Sequence, residues 1–393
     1  MEFIMTAKIR LLSGMQPSGA LHIGNYMGAL KNWISLSERY ECLFCIVDYH
    51  AITIPYNIGE MQNRIFEAAV DYLAGGIDPK LCDIFVQSDV PEHLELAWIF
   101  NAITPLGQLM RMTQFKQKAH QYASRQFVDS AQDNDPETAT DDLSDLSALI
   151  STADVGASSG KAGDALQIPL EGIGRINAGL LTYPVLQAAD ILLYKAAVVP
   201  VGEDQVQHIE LTRDIARRFN HRFGELFPLC APLLSEAPRV MGLDAINKMS
   251  KSLGNHIPLS ITPDQLVHLV TRQSVSDPRR IRRLDPGVPE DCNIYAWHKL
   301  FSPADVQEWS HSGCTSAGIG CFECKKKLAG YINDLLEPIR ERRQYILKHP
   351  DYVRDVLSAG AEKARSIAQQ TMSEVRIALG LRPHNWLKTS DPQ

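Results

Sequence analysis

Three short apolar runs, Ile9 to Leu12, Cys42 to Val47 and Ile84 to Gln87, alternate with stretches of helical period at the start of the chain. Runs apolar on both faces need helices above and below them, so the alternation predicts an α/β fold with a doubly wound parallel sheet. No G-x-G-x-x-G follows any of the runs, which disfavours a dinucleotide fold of the dehydrogenase type. Downstream the period changes. Thr262-Pro263-Asp264 reads as a helix start, and Leu328 to Tyr345 and Tyr352 to Leu379 are helical in pattern, the last stopped by Gly380. Residues 1–255 are therefore expected to form an α/β domain and residues 256–393 a mainly α-helical one. From 119 to about 175 periodicity fails and Ser, Ala, Asp and Gly dominate, which predicts a mobile insertion.

The first run leads into turn chemistry at Ser13-Gly14, Gln16-Pro17 and Ser18-Gly19, then a helix-like pattern carrying Leu21, Tyr26, Met27, Leu30 and Ile34. Strand, tight turn and helix N-terminus is a setting for phosphate, because the first amides of a helix are unpaired. His22 and Asn25 share a face of the first turn, with Gly24 leaving room for a base or ribose. An ordinary strand-to-helix turn with a chance histidine is the competing reading. Far downstream, Lys248-Met249-Ser250-Lys251-Ser252, followed by Gly254-Asn255, makes a small basic loop. Two ammoniums and two hydroxyls suit a polyphosphate, as charges that can follow the leaving group. Taken alone, such a loop is more often a solvated surface.

Together the two stretches resemble the paired signature sequences of class I aminoacyl-tRNA synthetases. His22-Ile23-Gly24-Asn25 stands for the first, and Lys248 to Ser252 matches the second without a change. The family commonly has a second His where this chain has Asn25, a departure familiar in the tryptophanyl branch. Gly14 to Tyr26, Asp48 to Thr53, Arg111 to Lys118, Gly179 to Tyr194, Val199 to Thr212, Lys248 to Ser252 and Gly360 to Lys363 carry the resemblance to the bacterial members of that branch. The tyrosyl branch is the nearest rival. A nucleotidyltransferase sharing the first signature, or a non-catalytic RNA-binding relative, are the readings from other classes. The resemblance implies a Rossmann-like catalytic sheet, activation of L-tryptophan by ATP with Mg²⁺, transfer to tRNA(Trp) and a homodimer.

Composition sets bounds on this. The chain has 393 residues, 45% of them hydrophobic and 22% charged, as in ordinary globular domains. No run approaches the ~18 apolar residues of a membrane span. Met1 to Met5 is short and poorly basic for a signal peptide, so a cytoplasmic location is expected, with Met5 an alternative start. A formal charge of −7 argues against nucleic-acid binding by bulk charge. The deficit is partly local, since no Lys or Arg lies between Arg125 and Lys161, whereas Arg279 to Arg283, Lys325 to Lys327 and Arg340 to Arg343 gather cations in the last third. Each such run, taken singly, is more often a solvated face.

Asp190 lies in the apolar stretch Ala178 to Tyr194 and shares a face with Tyr183 and Gln187, with Pro184 suiting a helix start. A carboxylate there is costly unless it accepts a hydrogen bond, either from a substrate N–H or from helix packing. Val199 to His208 reads as strand, glycine turn and helix start, with carboxylates and amides suited to ribose hydroxyls and an ammonium group. The resemblance implies ATP contacts from Gln16, Pro17, Ser18, Gly24, Asn25, Gly202, Glu203, Asp204 and Val240, and from Lys248, Met249, Ser250, Lys251 and Ser252. It implies that Asp190 takes the indole N–H, with Tyr183, Gln205, His50, Val201 and Gln187 around the amino acid. Leu12 and Gln187 stand where Phe and Met are expected, so the apolar lining carries over only in part. The catalytic set is then Lys248, Lys251, Ser252, His22, Asn25 and Lys118.

Cys42 and Cys45 form a C-x-x-C within an apolar strand and read as core packing on opposite faces. Cys292, Cys314, Cys321 and Cys324 are different, spaced C-x21-C-x6-C-x2-C in the helical part. Such a cluster reads as a metal site, with zinc or a [4Fe–4S] cluster as candidates and unligated thiols as the competing reading. Some members of the tryptophanyl branch carry a very similar pattern for an iron–sulfur cluster, with a long gap one residue longer. Cys292 is thus the least secure ligand.

Overall fold

A computed structural model describes residues 8–54, 56–116, 177–234, 239–251 and 253–381. Lys118, Ser252 and the insertion expected at 119–175 lie outside the described residues. Five parallel strands, β1 (Arg10–Met15), β2 (Glu41–Ile46), β3 (Cys82–Val86), β4 (Val198–Val201) and β5 (Ala231–Leu234), form one sheet in the order β3-β2-β1-β4-β5. Leu11 of β1 pairs with Cys42 on one side and Val198 on the other, so β1 is the central strand and the chain reverses its direction of travel there. In an open α/β sheet the crevice at that reversal, outside the strands' carboxyl ends, is where ligands bind.

Between the strands lie α1 (Lys31–Ser37), α2 (Ile58–Gly75), α3 (Glu92–Ile103), α4 (Ala178–Leu193) and α5 (Val206–Phe223). After β5 the described structure is helical, with α6 (Asn293–Phe301), α7 (Ala304–Thr315), α8 (Cys321–Leu347) and α9 (Pro350–Ala378). Thr262 caps a short helix, Pro263–His268, in a capping box with Gln265, as the sequence predicts.

Neighbouring strand residues face opposite layers. Leu11, Phe44, Ile46 and Ile84 pack with Trp33, Tyr72 and the α8 residues Leu328 and Ile332. Leu12, Leu43, Cys45 and Phe85 pack with Phe100, Leu192, Ile215 and Met372 of α9. Cys42 and Cys45 accordingly fall in opposite layers, and burial pushes both thiols up, Cys42 to about 12. The two last helices thus bury apolar faces in the layers of the sheet itself, each fully buried Leu or Ile contributing about 1.5–3 kcal/mol. At Gly360 the backbone of α9 comes so close to Ile84 that any Cβ would meet that residue's carbonyl, and α9 lies against β3, whose outer edge pairs with no further strand among the described residues.

Two expectations are corrected. Ser13-Gly14 is strand, not turn. β1 runs on to Met15 in register with β2, and at Gly14 a Cβ would meet the Cys45 carbonyl at 2.7 Å. Pro184 does not start its helix. Asn177 does, accepting the Leu180 amide at 2.8 Å, and Pro184 sits inside α4. No described helix is long and apolar enough to cross a membrane.

Candidate active site

The Gln16–Gly19 turn leaves the end of β1 and the Gly202–Gln205 turn leaves the end of β4, so the two loops flank the crevice at the sheet's reversal. The second signature loop is laid against the first. Ile23 N–H donates to the Ile257 carbonyl and Leu259 N–H to the Leu21 carbonyl, both at 2.9 Å, which ties the segment after the lysine loop to the start of the first helix. From that loop, Lys251 Nζ donates to the Gly19 carbonyl at 2.6 Å and reaches Ser18 Oγ at 3.4 Å. Burial pulls its pKa down to about 8, against the charge of Asp71. The loop is shaped from within by Asn255, whose Oδ1 accepts the Ser250 amide and whose Nδ2 donates to Asp244. Met249 N–H donates to the Val240 carbonyl at 3.0 Å, so Val240 is pinned beside the loop.

His22 and Asn25 cap each other. The Asn25 amide donates to His22 Nδ1 at 3.2 Å and the His22 amide to Asn25 Oδ1 at 3.1 Å. Gly24 has no room for a side chain, since a Cβ would meet His22 Nδ1 at 2.9 Å and Met249 Cβ at 3.4 Å. Burial, with the charges of Lys251, His256 and Lys248, pulls His22 down to about 3, so its imidazole is neutral at physiological pH.

Asp190 occupies the other wall, buried on α4. Its Oδ1 accepts Gln87 Nε2 and His93 Nδ1, both at 2.7 Å, and its Oδ2 accepts His50 Nε2 at 2.8 Å. Burial by itself would raise this carboxyl, but the His50 and His93 hydrogen bonds outweigh it and hold the group well below the usual carboxylate range. Three of about four acceptor directions are filled, leaving one. His93 also bonds the Tyr194 hydroxyl at 2.8 Å, and Gln87 Oε1 takes the Tyr49 amide at 3.1 Å. Gln87, His93 and Tyr194 escape sequence reading. Gln87 carries one signal, a polar residue at the end of a strand, where open α/β sheets place ligands, and His93 and Tyr194 carry none.

Tyr183 is buried in the same region, its hydroxyl 3.1 Å from His208 Nε2, and burial pushes it up to about 12. His50 and Tyr183 meet edge to face at 6.4 Å, and Val201 is buried at the end of β4. Gln187 is half-buried on α4. Gly202, Glu203 and Asp204 are exposed at the rim. Gln205 and Gln114 both donate to Asp204 Oδ2, which joins the Arg111–Lys116 segment to that rim.

Away from the crevice, Cys292, Cys314, Cys321 and Cys324 all line one small cavity. Hydrogen-bond donors stand around them. Arg280 NH1 reaches Cys314 Sγ at 3.8 Å, and Cys324 Sγ lies 3.2 Å from Ser310 Oγ and 3.4 Å from His298 Nε2. A Cβ at Gly287 would run into Cys314 Sγ. Among the described residues, no group of three or more His, Cys, Asp or Glu is arranged to hold a single metal ion.

The site fits what comparison with known proteins finds. The tryptophan–tRNA ligase of Deinococcus radiodurans is 43% identical over 94% of this chain and 98% of its own length. That of Thermotoga maritima is 41% identical over 95% and 99%. The tryptophanyl-tRNA synthetase of Campylobacter jejuni, solved with ADP and tryptophan, superposes with a TM-score of 0.74 at 33% identity, covering 95% of this chain and all of that one. A tyrosyl-tRNA synthetase from Archaeoglobus fulgidus shares the fold at 19% identity and a TM-score of 0.55. The family model described as tRNA synthetases class I (W and Y) matches residues 5–132 and 138–337, and the chain belongs to that family.

Proposed function

We propose that the chain acts as a tryptophan–tRNA ligase. The tryptophan carboxylate attacks the α-phosphorus of ATP and pyrophosphate leaves with the electrons of the broken P–O bond. A terminal hydroxyl of tRNA(Trp) then attacks the adenylate's carbonyl and AMP leaves. The observation that carries this reading is the pairing of two features across one crevice: a carboxylate with one open acceptor direction, and two interlocked phosphate-type loops. A site built to bond a substrate N–H rejects an analogue lacking it far better than an apolar hole does.

The attacking carboxylate is already ionised, so no general base is needed. Neutral His22 is suited to shaping the first turn and not to proton transfer. Rate enhancement then comes from positioning and from charge at the leaving pyrophosphate, which we assign to Lys248, Lys251 and Lys118. Mg²⁺ bound to the phosphates would supply further positive charge. Gln16, Pro17, Ser18, Gly24, Asn25, Gly202, Glu203, Asp204, Val240, Met249, Ser250 and Ser252 are assigned to ATP. Asp190, His50, Tyr183, Gln205, Val201 and Gln187 are assigned to tryptophan.

We assign residues 1–255 to the catalytic part and 256–393 to the tRNA-facing helical part, in the cytoplasm. A homodimer is supported by the exposed apolar side chains Leu94, Trp98 and Leu106, with Trp98 75% exposed. The four thiols sharing a cavity support a [4Fe–4S] cluster held by Cys292, Cys314, Cys321 and Cys324, with zinc the alternative. Such a centre would fix the chain that carries Lys326 and Lys327. The deciding experiment is ATP–pyrophosphate exchange with each amino acid in turn, followed by charging of tRNA(Trp). Exchange with tryptophan and not tyrosine is expected, and exchange with tyrosine alone would overturn the reading.

A further inference from the structure

Asp71 belongs to neither signature loop, yet it is bonded to the residue that opens the first and to one of the C-terminal helices. It lies in α2 among buried apolar neighbours and is 1% exposed. Its Oδ2 accepts the Leu21 amide at 2.6 Å, one residue before His22. Its Oδ1 accepts Arg343 Nε at 2.9 Å, from the last turns of α8. Arg343 also pairs with Glu67, and Arg342 donates to the Ala74 carbonyl at 2.7 Å near the C-terminal end of α2. Lys251 stands near enough that Asp71 raises its pKa.

A carboxylate in an apolar helix is tolerated only when its oxygens are filled, and packing alone would favour an apolar side chain of similar volume. Both oxygens are filled here, one by the loop that opens the nucleotide site and one by a cation brought from more than 270 residues away in sequence. Burial pushes the Asp71 carboxyl up to about 6, against the Leu21 amide and Lys251, so retaining the charge depends on these partners.

We propose that Asp71, ion-paired with Arg343, is a positioning residue for adenylation that fixes the Leu21–His22 backbone. The inference rests on the adenylation reading above. Leu21 precedes the mutual cap of His22 and Asn25, so freeing its amide loosens the turn against which Lys251 is laid. The tryptophan wall is made by other elements, α4 and the ends of β2 and β3, and is left in place.

The test uses the full chain with Asp71→Asn, Arg343→Met and Arg343→Lys. In the first two, hydrogen exchange at residues 19–25 is expected to quicken about tenfold, with β2 and β3 unchanged. The kcat of tryptophan-dependent exchange should fall about tenfold or more while KM for tryptophan stays within about twofold. Arg343→Lys keeps the charge and should recover most of the loss. The double variant should be no worse than the worse single one. Unchanged exchange at Leu21, an intact kcat, additive losses, or a kcat loss matched by the fraction of unfolded protein would each overturn the proposal. If the unaltered protein shows no tryptophan-dependent exchange, the functional reading fails and the kinetic half of this proposal with it. Protection at Leu21 still decides the structural half.

Discussion

Replacing Asp190 by Asn changes one atom and reverses the logic of its wall. The carboxylate accepts from Gln87, His93 and His50 at 2.7–2.8 Å, all bonds to a charged acceptor. Bonds to charged groups contribute about 1.5–3 kcal/mol each, against about 0.5–1.5 kcal/mol for neutral ones. The new amide also brings an NH₂ that must face one of the three donors. Gln87 cannot turn over to accept it, because its Oε1 is held by the Tyr49 amide. His50 can change tautomer and accept instead, so the NH₂ is expected to point there. The open direction lies on that same atom, since the other oxygen already takes Gln87 and His93, so the indole N–H would face an N–H where it had a charged acceptor, and the loss is that of a whole bond to a charged group, about 1.5–3 kcal/mol.

For tryptophan, kcat/KM in ATP–pyrophosphate exchange should therefore fall about tenfold to a hundredfold. The control is the benzothienyl analogue of tryptophan, with sulfur in place of the indole N–H. It makes no such bond and should lose less than about twofold. Equal losses for both substrates would mean that Asp190 serves packing and not recognition. The assay is free of acid titration. A carboxyl held below its unfolded value of about 3.9 contributes fully at neutral pH and loses that contribution only as pH falls below that value.

Lys251→Ala should lower the maximal exchange rate by more than it raises KM for ATP, and equal ATP weakening with an unchanged rate would refute it. With its ammonium pulled down to about 8, the unaltered enzyme should also slow as pH rises from 7.5 to 9, while Lys251→Arg keeps its rate. His22, held near 3, refuses a proton that the unfolded chain takes up near 6.5, so stability should fall as pH drops from 7 to 5. His22→Asn, a good cap residue, should flatten that slope in thermal melts; an unchanged slope counts against the burial argument. Protein prepared without oxygen should be brown, with iron and not zinc at stoichiometric level, and Cys→Ser at Cys314 or Cys321 should impair tRNA charging more than tryptophan activation. A colourless preparation with stoichiometric zinc decides for zinc.

How much of this was legible depended on whether the signal was local. β1, β2 and β3 are continuous apolar runs, and each is found within a few residues of its place. β5 left no such mark: it is four residues long, contains Pro232 and is half-exposed, so nothing in its composition separates it from a loop. The start of α4 was misplaced because Pro184 is a strong local sign, whereas the cap at Asn177 follows an unperiodic segment that hides it. Asp190 is legible from its own apolar neighbourhood, and His50 through the resemblance alone. Gln87 and His93 join them only through contacts roughly a hundred residues apart in sequence, and a single sequence holds no record of those. Asp71 is harder still, since an Asp in an amphipathic helix reads as solvated until Arg343 and Leu21 are seen beside it.

The geometry of the paired loops also bears on how the reaction is driven. Lys251 is already bonded, its ammonium on the Gly19 carbonyl and near Ser18, in the turn where phosphates would lie. To act on a leaving pyrophosphate it must exchange a neutral carbonyl for charged oxygens, a stronger partner. The difference between those two bonds is binding energy that appears only when a triphosphate is present and grows as charge develops on the leaving group. Interactions that strengthen toward the transition state raise kcat, and those equal in both states do not. In the proposed reaction His22, neutral and capped, would keep the turn in register while that exchange takes place. On this argument the first loop supplies rigidity and the second supplies the charge that moves, so substitutions in the first should act through shape and those at Lys251 through charge.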